Sequence, residues 1–183
     1  MVFRSMSILR LYLERVASIL GDILMVTDDR ERVRALDFED DIARMNRLLR
    51  IHYGVVNVLE IDGRSPSNPR RSLEAYFSGD VSAIDNVGVE TAGTPFQCEV
   101  WAALRGIPAG QTLSYGELAA ELGRPKAIRA VGLANGANPV AIVVPCHRVI
   151  GADGSLTGYG GGLERKRWLL AHEGAELSLK DPA

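Results

Sequence analysis

The sequence predicts an α+β protein in two parts, a small antiparallel sheet with helices followed by a mainly helical half that carries a loop with a nucleophile. Three observations predict it. Ile23-Leu24-Met25-Val26-Thr27 and Val33-Arg34-Ala35-Leu36-Asp37-Phe38 flank a polar turn, the pattern of a hairpin. Two capping boxes, Thr94-Pro95-Phe96-Gln97 and Ser114-Tyr115-Gly116-Glu117, open helices in the second half. The apolar run Ala141-Ile142-Val143-Val144 leads straight into Pro145-Cys146-His147-Arg148.

The elements follow in order. Leu9 to Val16 fits both a strand and a helix, and the strand that joins the hairpin is preferred. Asp41–Tyr53 has helical spacing through Ile42, Met45, Leu48 and Leu49, and Val55–Ile61 alternates as a strand. The loop Gly63–Pro69 leads to a short helix near Arg71–Phe77, stopped by Gly79. Residues 1–85 thus form an α+β domain, 86–93 a linker, 94–176 the second domain and 177–183 a tail.

In that second domain Phe96, Val100, Trp101 and Leu104 make an apolar stripe. A short helix through Leu118, Ala119 and Leu122 ends at Gly123, and Arg124-Pro125 starts another, with Arg124 at its N-cap. Two short helices joined at a glycine outline a helix-turn-helix of winged-helix-like kind. Ala127, Ala130, Gly132 and Ala134 give the second of them a small-residue face from which Arg129 projects. Such a face admits close approach of a duplex, with Arg129 as a wedge; alternatively Arg129 is a solvated cation. Asn138-Pro139 then turns the chain into a strand, Val140–Val144, and Asn138 is placed to tie the helix to the cysteine loop. The loop Thr157–Gly162 lacks a Lys-Ser/Thr ending, so it reads as a backbone wall against a flat ligand and not as a phosphate site. Leu163–His172 is the last helix, capped by Gly174.

Composition excludes several classes. Hydrophobic residues at 46% and charged residues at 24% argue against disorder. Two cysteines, Cys98 and Cys146, are too few for a disulfide framework, and His52, His147 and His172 have no chelating spacing with them, so no metal and no cofactor are expected. Charged residues interrupt the apolar segments of Met1–Leu24, leaving no membrane span or signal core, which reads as a soluble, cytoplasmic protein. The net charge of −2 creates no general basic field, so any nucleic-acid binding must be local. The chemistry lies in Cys146 beside His147. A thiol with an ordinary pKa is only about 3% thiolate at pH 7, so a nucleophilic cysteine needs an adjacent base. A small buried cysteine without chemistry is the competing reading.

Gly93–Gln97, Val100-Trp101, Ile107–Gly110, Ser114-Tyr115, Arg129–Gly132, Asn138-Pro139, Pro145–Ile150, Gly158-Tyr159 and Glu173-Gly174, in that order, resemble the O6-alkylguanine-DNA alkyltransferases. Arg34-Ala35 and Ile51-His52-Tyr53 are similar to the bacterial constitutive type. The resemblance implies a single-turnover DNA repair reaction in which Cys146 takes the alkyl group from O6-alkylguanine, with O4-alkylthymine left open as a second substrate. It implies that Glu173 orients His147, which deprotonates Cys146 through a water. Tyr115 would press on the DNA and donate to guanine, and Arg129 would fill the stack left by a base flipped out through the minor groove. Ser114, Ala127, Ala130, Gly132 and Arg124 would line the DNA, and Val149, Tyr159, Gly160, Asn138 and Pro139 the base pocket. The carbonyls of Cys146 and Val149 would accept from the guanine amino group. Some relatives have serine where Gly160 stands, so a roomier pocket is expected here. The implied partner is double-stranded DNA, with no membrane, and the protein a monomer, cooperative binding being left open. A lesion-binding module without chemistry and a cysteine hydrolase are the alternatives. The intact Pro-Cys-His-Arg argues against the first, and the helix-turn-helix with Arg129 against the second.

Overall fold

The computed structural model describes residues 9–54, 58–60 and 66–176. Strands β1 (Leu11–Val16), β2 (Ile23–Asp28) and β3 (Val33–Phe38) form the antiparallel meander, and β4 (Val58–Glu60) adds to β1 in parallel, giving the order β3-β2-β1-β4. Positions 55–57, 61–65 and the tail 177–183 lie outside the described residues. Both faces of β2 and β3 are buried. One face carries Leu24, Val26 and Ala35 and is covered by Met45 and Leu49 of α1 (Ile42–Tyr53). The other carries Ile23, Met25, Val33, Leu36 and Phe38, whose core continues into Val100, Trp101, Leu104, Leu118, Val131 and Leu169 of the second half.

Burial on both faces forces the polar residues of the hairpin into pairs. Burial alone would raise the Asp28 carboxyl, but bonds from the Arg32 backbone, the Arg34 side chain and the Arg30 backbone hold it at about 2.

Helix α2 (Asn68–Phe77) begins three residues before the expected start, because Ser67 caps the Arg70 amide and Pro69 occupies the first turn. In the second half, α3 (Pro95–Arg105) and α4 (Tyr115–Glu121) start at the predicted capping boxes, both complete. Helix α5 (Ile128–Gly136) starts later than Arg124, with Ala127 at its N-cap and no side-chain cap. Arg124 is therefore not a cap. It lies in the preceding turn, paired with Glu99 and over the Phe96 ring. Ala134 faces the core, not the exposed side, and its carbonyl accepts from the Trp101 indole at 2.9 Å. Helix α6 (Leu163–His172) is the last helix among the described residues, with Glu173 at its C-cap and Gly174 at positive φ.

The predicted strand 140–144 is not a strand. Two backbone bonds, Leu36 to Pro139 and Ala141 to Leu36, fasten the segment to the outer edge of β3, after which it curls through two successive i to i+2 turns. The first is centred on Ile142, which is fully buried at φ +67°, a strained conformation for a β-branched residue. The second, Val144 to Cys146, delivers the cysteine into a single 3₁₀ turn, Cys146–Arg148. Further along the same edge the expected linker also binds: Val33 donates to Gly88 and accepts from Glu90. The free edge of the sheet is thus used to hold the loop that carries Cys146. Short β5 (Leu113–Ser114) and β6 (Val149–Ile150) pair in parallel beyond it.

Candidate active site

Cys146, His147 and Glu173 converge where the 3₁₀ turn meets the end of α6, and all three are buried. Glu173 is the anchor. Its Oε1 accepts from His147 Nε2 at 2.9 Å, Tyr76 Oη at 2.8 Å and Arg148 Nη2 at 2.8 Å, and its Oε2 from Arg148 Nε at 2.8 Å. Burial would raise this carboxyl, but the bonds from His147 and Arg148 hold it at about 2, so it is ionised at neutral pH.

That fixes the histidine. Burial lowers the His147 pKa against the opposing pull of Glu173, so the ring is neutral at neutral pH. A carboxylate only accepts, so Nε2 carries the ring proton and Nδ1 is the bare nitrogen. Nδ1 is buried and has no partner among the described residues. It is a base with its lone pair free.

Burial raises the Cys146 thiol, opposed by the Asn138 side chain and the charges of Arg44 and Lys166. The resting sulfur is therefore a thiol that must lose a proton to react. Asn138 braces the loop, its amide donating to Val144 O at 2.8 Å and its oxygen accepting from Val140 N at 3.0 Å. The Pro139 carbonyl accepts from Leu36 of β3. Val149 O already accepts from Lys166 Nζ at 2.6 Å, leaving one lone pair free.

Tyr115 is half-buried, 3.4 Å from Thr157 O, and burial raises its hydroxyl, which stays protonated and able to donate. Its ring lies against the bare face of Gly132. Tyr159 stands edge-on to His147 with its hydroxyl unpartnered among the described residues. Ser114 is engaged in the cap of α4, while Arg129 and Ala130 are exposed on α5 and Ala127 is half-buried at its start. Ile128 and Leu133 are exposed beside them. No group of three or more possible metal ligands occurs among the described residues.

Four residues escape a reading of the sequence. Tyr76 and Arg44 reach the site from the first half; Asn135 donates to Cys146 O at 3.4 Å; and Lys166 is fully buried between the carbonyls of Val149 and Thr157. Lys166 stands in the run Glu164–Arg167, which reads as a solvated face. Only Arg148 had a local signal, its place in the Pro-Cys-His-Arg motif.

Residues 95–175 match the family described as 6-O-methylguanine DNA methyltransferase, DNA binding domain. The chain is 53% identical to a methylated-DNA–protein-cysteine methyltransferase of Salmonella typhimurium over 91% of its own length and 97% of that protein's. Among solved structures it resembles Mycobacterium tuberculosis OGT in complex with DNA, with a TM-score of 0.72 and 39% identity over 90% of this chain and 92% of that one. It also resembles the O6-methylguanine-DNA methyltransferase of the archaeon Pyrococcus kodakaraensis, with a TM-score of 0.67 and 27% identity over 90% and 99% of the two chains.

Proposed function

This chain belongs to the methylated-DNA–protein-cysteine methyltransferase family, and we propose that Cys146 is the residue on which its reaction ends. The protein binds damaged DNA and repairs it by direct transfer of the alkyl group to a cysteine. The observation that supports Cys146 most is the bare Nδ1 of a neutral His147, set by an ionised Glu173, next in sequence to a buried thiol.

The roles follow from that arrangement. His147 Nδ1 takes the Cys146 proton through a water, and the imidazolium is stabilised by Glu173. The thiolate attacks the alkyl carbon of O6-alkylguanine from the side opposite O6; the S–C bond forms as the C–O6 bond breaks. The departing guanine takes a proton from the Tyr115 hydroxyl, assisted by backbone N–H groups near Gly160, and the His147 proton restores the balance. The remaining lone pairs of Val149 O and Cys146 O accept from the guanine amino group, and Tyr159 walls the base. S-alkylcysteine is not hydrolysed back, so each molecule reacts once.

The helix-turn-helix of α4 and α5 enters the minor groove. Arg129, exposed on α5 beside Ala130, fills the gap left by the flipped nucleotide, whose extrusion costs about a few kcal/mol and less when its pairing is already impaired. Ser114, Ala127, Gly132 and Arg124 lie along the same DNA face. The protein acts as a cytoplasmic monomer, in which 1–85 supports 94–176 through the 86–93 connection. No helix among the described residues is long and apolar enough to cross a membrane.

Intact-protein mass spectrometry after incubation with a duplex containing O6-methylguanine tests this reading. One added methyl per molecule, on Cys146 and lost in Cys146→Ala, is the expected result. Lesion-selective binding without a mass shift would overturn it.

A further inference from the structure

Arg44 lies on α1 in the first half, 102 positions before the nucleophile, yet its guanidinium reaches the edge of the base pocket. Its Nη1 pairs with the buried Asp37 of β3. Its Nη2 donates to Asn138 O at 2.9 Å and to Gly136 O at 3.1 Å, the carbonyls at the end of α5. The same guanidinium covers Gly160: a Cβ built there would stand 3.1 Å from Arg44 Cζ and Nε. One planar cation therefore touches the Asn138 turn, which holds the nucleophile loop, and the glycine loop, which faces the base.

We propose that Arg44, presented by Asp37, is a positioning residue for alkyl transfer: it fixes the Asn138 turn against the Gly160 loop and lends positive charge to the Cys146 thiolate. This rests on Cys146 as the acceptor. The planar fork suits the task, because two carbonyls and a carboxylate lie around one delocalised group, which a lysine cannot reproduce. Among the described residues Asp37 is the charged partner that orients the guanidinium.

The groups facing Cys146 set the sign. Arg44 from α1 and Lys166 from α6 favour the thiolate; Asp37 from β3 opposes it. Tyr115 from α4 and Tyr159 from the glycine loop are both kept protonated by burial, and the Asn138 amide favours the anion. Removing the Arg44 charge therefore moves thiolate formation to higher pH, whereas a loss of folded protein lowers the amplitude without moving the midpoint.

The test measures two rates against pH in the full-length protein: single-turnover methyl transfer from an O6-methylguanine duplex, and carbamidomethylation of Cys146 by iodoacetamide read by intact mass. For Arg44→Gln the methyl-transfer rate at pH 7 is expected to fall about tenfold or more, as small displacements of reacting groups do. Both midpoints shift to higher pH. Arg44→Lys keeps the charge and loses the fork, so its midpoints stay at the wild-type value while transfer is still slowed. Asp37→Asn slows transfer and moves the midpoint little or to lower pH. Wild-type midpoints and wild-type rates per folded molecule in Arg44→Gln would overturn the proposal, and so would an equal defect in Arg44→Gln and Arg44→Lys at every pH. Should Arg44→Gln not fold, the Arg44→Lys and Asp37→Asn profiles decide by the same criteria. Were Cys146 not the acceptor, methyl would appear elsewhere in the wild type, an outcome the iodoacetamide rates do not depend on.

Discussion

Replacing Glu173 with glutamine removes one charge and almost no volume, which makes it the sharpest perturbation of the site. The carboxylate accepts four bonds, from His147, Tyr76 and twice from Arg148. A glutamine has one accepting oxygen, and its amide must point a donor at either Arg148 or the His147–Tyr76 pair. The buried guanidinium of Arg148 then keeps only Ile107 O as a full partner, and breaking a buried ion pair in this way costs about 3–5 kcal/mol. Proton linkage gives the same size independently. Folding holds the carboxyl at about 2 against an ordinary 4.5, a difference worth about 3 kcal/mol at neutral pH. The folded pKa is depressed, so this stabilisation is complete above 4.5 and fades as pH falls towards 2. Urea unfolding at a series of pH values should therefore show Glu173→Gln less stable by about 3 kcal/mol at pH 7 and flatter between pH 5 and 2. Alkyl transfer should slow by about 10²–10⁴, because the histidine loses the charged partner that favours its proton on Nε2 and stabilises the imidazolium. A variant within about 1 kcal/mol of wild type at pH 7 and with a wild-type transfer rate would refute both the ion-pair and the tautomer argument.

Lys166 is held at about 8 by burial, below its ordinary 10.5, so the folded state releases that proton first and its stability rises relative to Lys166→Met as pH increases from 8 to 10.5, by about 3 kcal/mol. Parallel stability curves would sink this. Arg129→Ala should slow transfer from duplex DNA by about tenfold or more while leaving transfer from free O6-benzylguanine unchanged, since the free base needs no flipping. An equal loss on both substrates would mean that Arg129 serves the fold or the chemistry. Gly160→Ser puts a Cβ within 3.1 Å of the Arg44 guanidinium and narrows the pocket, so benzyl transfer should drop more than methyl transfer. An unchanged ratio would show that adduct size is decided elsewhere.

Much of the fold was legible because its signals are local. The hairpin is written in two apolar runs around a polar turn, and the starts of α3 and α4 in side chains that bond amides three residues away. Where the local signal failed, a longer-range one prevailed. The run Ala141–Val144 is apolar because it is buried on every side, which a strand and a coiled loop share; what makes it a loop is its attachment to β3 at Leu36, about a hundred residues earlier. Arg124 stands before a proline, as a helix start would, yet the helix waits for Ile128 because Pro125 and Lys126 form a turn first.

The sequence by itself singled out Cys146 with its neighbouring histidine and determined the capped helix pair, since all are set by residues within a few positions of one another. It also carried Glu173, through a family pattern and not through any local physics. The tertiary structure alone decided which nitrogen of His147 is left bare, because that depends on Glu173, 26 positions away, and on Tyr76, 97 positions from Glu173. It alone brought Arg44 and Lys166 to the thiol. Charges act across space, and no spacing along the chain records which of its many lysines and arginines the fold will bury beside a sulfur.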